Sequence, residues 1–190
     1  MKKYICGFAA LVALVFTFTG SVYAEGVIGA QYGRSYVELT PGPDTMGEGR
    51  RAGKFQPGLF VQYRNGIFGL HFATNTGSME LNTQKNSHEF KVKFGRSYDF
   101  LGMLVIEGEK INGIGMLGVS GIERNTTSND SDSSDTQNDP IYGLKYAVGL
   151  EIPFANDDWI FQAVSQRTEL EEFGFEIEQS GFRLRIGKRF

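Results

Sequence analysis

The sequence has one cysteine in 190 residues, and that cysteine, Cys6, lies close to the N-terminus. Lys2 and Lys3 precede an apolar run over residues 5–18, and Val22-Tyr-Ala24 offers small side chains at the two positions that a signal peptidase reads. We therefore predict a cleaved signal peptide over residues 1–24 and one mature domain over residues 25–190. Because cleavage removes Cys6, no disulfide can form, and stability must come from burial and backbone hydrogen bonds.

Positive charge is also scarce. The chain has 19 Lys and Arg and 22 Asp and Glu, and without Lys2 and Lys3 the 17 remaining basic residues leave a net charge of −5. Proteins that bind nucleic acid carry basic surfaces, so this balance argues against a nucleic-acid partner.

Catalytic motifs are missing as well. The sequence has two histidines, His71 and His88. Neither is followed by a serine two positions later, which would pair a nucleophile with a base on one strand. No glycine-rich phosphate loop, zinc-ligand spacing or cofactor motif is present, so we predict a non-enzyme without a cofactor.

Long hydrophobic runs are absent after residue 24. No stretch approaches the roughly 20 apolar residues of a transmembrane helix, which excludes a helical membrane protein. A transmembrane β-barrel is still allowed, because its spans are about 10 residues of alternating character.

The sequence does contain segments in which apolar residues alternate with small or polar ones, and this pattern is clearest over residues 142–152. One face of this segment carries large apolar side chains, and the other carries glycine and charge. A period of two predicts a β-strand. Small and charged residues suit a narrow polar lumen, while bulky residues suit a wall that meets lipid. A soluble lipocalin-like barrel is disfavoured because it would place these two faces the other way round.

The same alternation recurs along the chain and predicts an all-β fold, an eight-stranded antiparallel transmembrane β-barrel. Short connectors such as Asn65-Gly66 alternate with long polar ones over 40–54, 77–87, 125–140 and 171–179, as in outer-membrane barrels. The apolar segment 101–111, where a short turn is expected, does not fit this pattern. The predicted strands are 27–39, 55–64, 67–76, 88–100, 112–124, 141–153, 159–170 and 180–190.

A resemblance to a known family covers essentially the mature chain. Its residues are Gln62-Tyr-Arg64, Gly95-Arg-Ser-Tyr98, Tyr142-Gly-Leu144, Val148-Gly-Leu150, Asp158-Trp159, Gly181 and Gly187-Lys-Arg-Phe190. In order and spacing they resemble the Ail/OmpX/Lom family of eight-stranded outer-membrane barrels. Lys188 departs from the family, which often has an aromatic residue there, and 101–111 is longer than the family pattern.

The resemblance implies a Gram-negative outer-membrane protein without an open pore. Its surface loops would engage host surfaces, complement regulators or neighbouring lipopolysaccharide. It also implies that the last strand is the signal read by the outer-membrane assembly machinery, a role that would fall to Phe182, Leu184, Ile186 and Phe190.

Polar residues on the inward parity predict a network that plugs the lumen. Charges inside a narrow barrel are unfavourable unless paired, so we expect Glu151 to pair with Lys145, Arg183 or Arg185. The alternative is a small porin-like channel for small, ionic or hydrophobic solutes. The predicted network is Gln31, Gln62, Arg64, Lys91, Lys93, Lys145, Glu151, Gln162, Arg183 and Arg185.

The predicted surface loops differ in charge. Arg50 and Arg51 suit phosphates of lipopolysaccharide or sulfated sugars, with ordinary surface charge as the alternative. Asp130, Asp132 and Asp135 lie in a polar loop that lacks the glycine and the final glutamate of a calcium loop, so no metal site is predicted. Glu171, Glu172 and Glu176 belong to an acidic β-ribbon that either recruits a basic partner or keeps the hairpin soluble beside lipopolysaccharide.

Overall fold

The computed structural model describes residues 24–41, 50–85, 88–128, 136–137, 140–172 and 175–190. The predicted signal peptide, apart from Ala24, lies outside these residues and stays a prediction. The strands are β1 (Ala24–Pro41), β2 (Arg50–Asn65), β3 (Phe68–Asn75), β4 (Met79–Lys85), β5 (His88–Ile106), β6 (Asn112–Ser128), β7 (Thr136–Gln137), β8 (Pro140–Phe154), β9 (Trp159–Glu172) and β10 (Phe175–Arg189). Within the described ranges, no helix is long and apolar enough to cross a membrane.

The sheet closes on itself. Every pairing is antiparallel, β1 lies between β2 and β10, and β5 pairs with both β3 and β6. β3 and β4 together occupy one position in the wall, since β4 pairs with residues 88–94 of β5 and β3 with residues 97–104. β7 pairs with only two residues of β6. The predicted eight-stranded antiparallel barrel is therefore confirmed.

One end of the barrel, the short-turn end, has the turns 66–67, 107–111 and 155–158. The predicted Asn65-Gly66 signal lies at the first of these, and Gly66 adopts the left-handed φ of 60° that favours glycine. Segment 101–111 does not contradict the predicted pattern of short turns. β5 continues to Ile106, so only residues 107–111 form the turn. Met103 and Val105 point into the barrel while Leu104 and Ile106 point outward, so both faces are apolar and alternation gives no signal there.

The opposite end, the long-loop end, has longer strands than predicted. The interpretation of 77–87 as a loop was wrong, because Met79–Lys85 forms a strand against β5. The register of β5 against β6 shifts between Phe94 and Ser97. An extra residue in one strand turns every following side chain to the opposite face. Arg96 lies at this bulge and is exposed.

Because of the bulge, two residues that were predicted to face the lumen lie outside it. On the long-loop side of the bulge, Phe94 points inward and is fully buried, whereas Lys91 and Lys93 are exposed on the outside. The Lys91 ammonium lies 2.8 Å from a carboxylate oxygen of Glu80, and both side chains are about half exposed. Lys91 and Lys93 are therefore not part of the lumen.

The wall is apolar outside and mixed inside. Val148 and Leu150 are 65% and 54% exposed, while the neighbouring Glu151 is completely buried. β6 has apolar residues on both faces without a bulge, with Ile114, Met116 and Ile122 inward and Leu117 and Val119 outward. An outer wall of this kind requires lipid around it, because in water a continuous apolar surface would be exposed to solvent, which is unfavourable.

Candidate functional site

The lumen receives long polar side chains next to inward glycines. Gly118 lies beside Lys145 in the β6–β8 ladder, and an added Cβ there would collide with the carbonyl oxygen of Phe100. Gly33 is similarly tight, since an added Cβ would collide with the carbonyl oxygen of Phe182. Glycine at these positions allows the strands to approach closely while neighbouring inward residues extend across the bore.

The first part of the lumen network is centred on Glu151. Its carboxylate accepts hydrogen bonds from both terminal nitrogens of Arg64, from Gln162 at 2.7 Å and from Asn112 at 3.2 Å. Arg189 lies 3.6 Å away and also pairs with Glu25 at 2.5 Å. A buried carboxylate with this many donors is well compensated.

The predicted partners of Glu151 were therefore wrong. We expected Lys145, Arg183 or Arg185, but the ion pair forms with Arg64, which reaches across the bore from β2. Simple alternation identifies which residues point inward but not their height on the opposite wall.

Two glutamines extend this part of the network across the bore. Gln62 and Gln162 exchange hydrogen bonds of 3.0 and 3.1 Å. The side-chain nitrogen of Gln62 also lies 3.1 Å from Nδ1 of the fully buried His71. The bore is thus crossed by paired side chains at this level.

Asp99 is a lumen residue that the sequence reasoning missed. It accepts hydrogen bonds from Lys145 and from the Ser120 hydroxyl, each at 2.7 Å. It has the same parity as Lys93, so extending the alternation along β5 identifies it as inward. The bulge makes Lys91 and Lys93 the exceptions.

Arg183 and Arg185 are almost completely buried and, like Lys145, interact electrostatically with Asp99; we call the part of the lumen that holds these four residues the middle layer. A terminal nitrogen of Arg183 donates to Ser35 at 2.5 Å and to Gln56 at 3.0 Å. Nε of Arg185 donates to Gln31 at 2.8 Å. These acceptors are all neutral.

Beyond the middle layer, the lumen of the long-loop end is filled by an apolar cluster. Its residues come from seven of the strands and are buried in contact with one another. Sequence reasoning missed it because Val37 and Leu39 continue the lumen parity of β1 beyond Ser35, where the inner face changes from polar to apolar. Its members are Val37, Leu39, Met79, Leu81, Phe94, Ile122, Ile141, Leu170 and Ile177.

The predicted loop residues lie around the long-loop end. Arg50 and Arg51 begin β2, and Glu171 and Glu172 end β9. Glu176 is exposed near the start of β10. The predicted acidic loop residues Asp130, Asp132 and Asp135 lie outside the described residues.

The last strand presents its apolar face outward. Phe182, Leu184 and Ile186 are 49%, 42% and 46% exposed, and the terminal Phe190 is 78% exposed. Phe190 exchanges backbone hydrogen bonds with Gly26 of β1, at 2.9 and 3.2 Å. The end of the chain thus helps to close the barrel.

Among the described residues, no group of three or more His, Cys, Asp or Glu side chains is arranged to hold a metal ion.

Comparisons with known proteins identify the fold. No family model and no curated protein matches the sequence. The structure is similar to that of Ail, the attachment invasion locus protein of Yersinia pestis, with a TM-score of 0.52, 15% identity, and coverage of 87% of this chain and 99% of Ail. Ail in complex with the heparin analogue sucrose octasulfate gives a TM-score of 0.53 at the same identity and coverage. Neisserial surface protein A gives 0.50, with 11% identity and coverage of 84% and 96%.

The chain therefore has the fold of an outer-membrane β-barrel, in agreement with its apolar outer wall. It has the eight-stranded architecture of the Ail-type barrels.

Proposed function

We propose that this protein is a non-catalytic outer-membrane barrel that does not conduct solutes. Its long-loop end is a platform for adhesion to anionic glycans, which carry phosphate or sulfate groups. Such groups are present on the lipopolysaccharide of the same membrane and on sulfated sugars of another cell.

The observation that carries this proposal is the filled lumen. Side chains of Arg64, Glu151, Gln62 and Gln162 join opposite walls near the short-turn end, and the nine-residue apolar cluster fills the long-loop end. An eight-stranded barrel is just wide enough for its own side chains. Function is then left to the outer surface and the loops.

Extended strands support the platform role. β9 and β10 continue their pairing up to Glu172 and Phe175. Inside this ribbon Leu170 and Ile177 are buried in the apolar cluster, so the strands remain packed at this end instead of separating into loops. A rigid support lowers the entropy that is lost when a loop binds its ligand.

Charge at the start of β2 supports the choice of ligand. Arg50 and Arg51 are adjacent, and Lys54 is exposed on the same strand. Arginine forms planar, paired hydrogen bonds to phosphate-like oxygens. The Ail structure with sucrose octasulfate is a case in which a barrel of this fold meets a sulfated sugar.

The β9–β10 ribbon has the opposite charge. Glu169, Glu176 and Glu178 lie on its outer side, and Arg167 pairs with Glu178 at 2.7 Å and with Glu169 at 3.4 Å. We expect this acidic side to contact divalent cations that bridge neighbouring lipopolysaccharide, or a basic partner.

We also infer that the outer-membrane assembly machinery recognises the last strand through Phe182, Leu184, Ile186 and Phe190. Their outward orientation on one face of β10 supports this role.

A binding experiment tests the platform. The purified protein in nanodiscs is titrated with heparin and, separately, with lipopolysaccharide micelles. Arg50→Glu/Arg51→Glu is expected to weaken binding at least 10-fold. The matched control Lys91→Glu/Lys93→Glu makes the same charge change elsewhere at the long-loop end and is expected to change binding less than 3-fold. An equal loss in both variants, or no binding by the unaltered protein, would contradict the proposal.

A conductance experiment tests the closed lumen. Planar bilayers containing the purified protein are expected to show no steady current in 1 M KCl. A steady conductance that disappears when the protein is omitted would favour the small-channel alternative.

A further inference from the structure

The middle layer of the lumen has more positive than negative charge. Lys145, Arg183 and Arg185 are at most 1% exposed, and Asp99 is the acidic residue that interacts electrostatically with all three. Asp99 is already engaged by Lys145 and Ser120. Two guanidinium groups therefore lie in the middle layer without a carboxylate of their own among the described residues.

Several of their N–H groups also lack an acceptor. Nε and Nη1 of Arg183 and Nη2 of Arg185 are buried and have no hydrogen-bond partner among the described residues. The acceptors that the two side chains do have are the neutral Ser35, Gln56 and Gln31 and the sulfur of Met116. An arginine side chain does not lose its proton in a protein. Each of these buried guanidinium groups therefore keeps a full positive charge and has unsatisfied hydrogen-bond donors.

Neighbouring carboxylates do not supply the missing charge. Glu151 is bound by Arg64, Gln162 and Asn112. Glu80, Glu169 and Glu178 lie on the outside of the wall, where they pair with Lys91 and Arg167.

We propose that the middle layer binds a small inorganic anion on Arg183 and Arg185. The narrow bore selects a halide-sized ion over a bulky organic anion. The bound ion neutralises the excess charge and accepts hydrogen bonds from the free N–H groups of both arginines. It is a structural ligand of the closed lumen, held between the Arg64–Glu151 network and the apolar cluster. This site is independent of the proposed binding of glycans at the loops.

Bromide diffraction tests the site directly. Crystals of the unaltered protein grown in sodium bromide are measured at the bromine absorption edge. We expect an anomalous peak within hydrogen-bond distance of Arg183 and Arg185. Bromide peaks confined to the outer surface, or water alone between the two arginines, would overturn the proposal, and this experiment needs no variant to fold.

Thermal unfolding provides a second test. The detergent-solubilised protein is heated in chloride and in gluconate at equal ionic strength, and chloride is expected to raise Tm in a saturable way. Arg183→Gln should lose most of this rise, while Arg167→Gln, which alters an exposed arginine of β9, should keep it. An equal chloride effect in the two variants would count against the site.

Discussion

Replacing Glu151 by glutamine tests the energetic role of the lumen network. The substitution keeps the shape of the side chain and removes its charge. Arg64 would stay buried, with 6% of its side chain exposed, opposite a neutral amide. One of the two acceptor oxygens would become an NH₂ group facing other donors, namely Arg64, Gln162 or Asn112.

The expected loss follows from burial. Removing one partner of a buried ion pair typically lowers the free energy of unfolding by about 3–5 kcal/mol, because the other charge is left uncompensated. We expect about 3 kcal/mol for Glu151→Gln. We use the low end of the range because Arg189, which lies 3.6 Å from Glu151, is 20% exposed. Solvent near Arg189 partly screens the charges of this network.

Urea unfolding in lipid vesicles measures this loss. Trp159 is the only tryptophan, and it lies at the start of β9 against Phe154, with ring centroids 6.5 Å apart, so its fluorescence reports on barrel closure. With a denaturant dependence of about 2 kcal/mol per molar urea, a loss of 3 kcal/mol lowers the midpoint by about 1.5 M.

Glu169→Gln is the matched control. Glu169 makes an ion pair with Arg167 at 3.4 Å, and these side chains are 54% and 46% exposed. Exposed pairs contribute less than about 1 kcal/mol, so the midpoint should fall by less than 0.5 M by the same conversion. The reasoning is refuted if Glu151→Gln lowers stability no more than Glu169→Gln.

Three further predictions concern packing and assembly. Gly118→Ala is expected to lower the free energy of unfolding by about 1–3 kcal/mol, because its Cβ would collide with the backbone of Phe100. Gly115→Ala on the same strand would meet nothing within 4 Å and should be neutral in the same urea assay. Ile122→Ala should remove about 2–5 kcal/mol from the apolar cluster, measured by urea unfolding, and Val119→Ala on the outer face should have a smaller effect. Phe190→Ala should reduce the folded fraction in the outer membrane of cells, measured by the mobility of unheated samples on gels, and an unchanged fraction would contradict the role of Phe190 in assembly.

Local sequence patterns were sufficient to predict the fold. The alternation over residues 142–152 indicates a strand with a lipid face and a lumen face, and such alternation depends only on the two-residue period of an extended chain. The Asn65-Gly66 turn is likewise a local signal, because its geometry depends on two adjacent residues. The barrel, its apolar outer wall and the inward parity of Glu151 therefore followed from the sequence.

Tertiary structure decided which side chains meet. Arg64 and Glu151 are 87 residues apart on strands that are not neighbours in the wall, so their contact depends on strand tilt and stagger in the closed barrel. The bulge between Phe94 and Ser97 moved Lys91 and Lys93 outside, and no local signal marks an extra residue in one strand. The apolar cluster exists only because distant strand ends converge at the long-loop end. Alternation sets the face of each residue, while barrel closure sets its height and its partners.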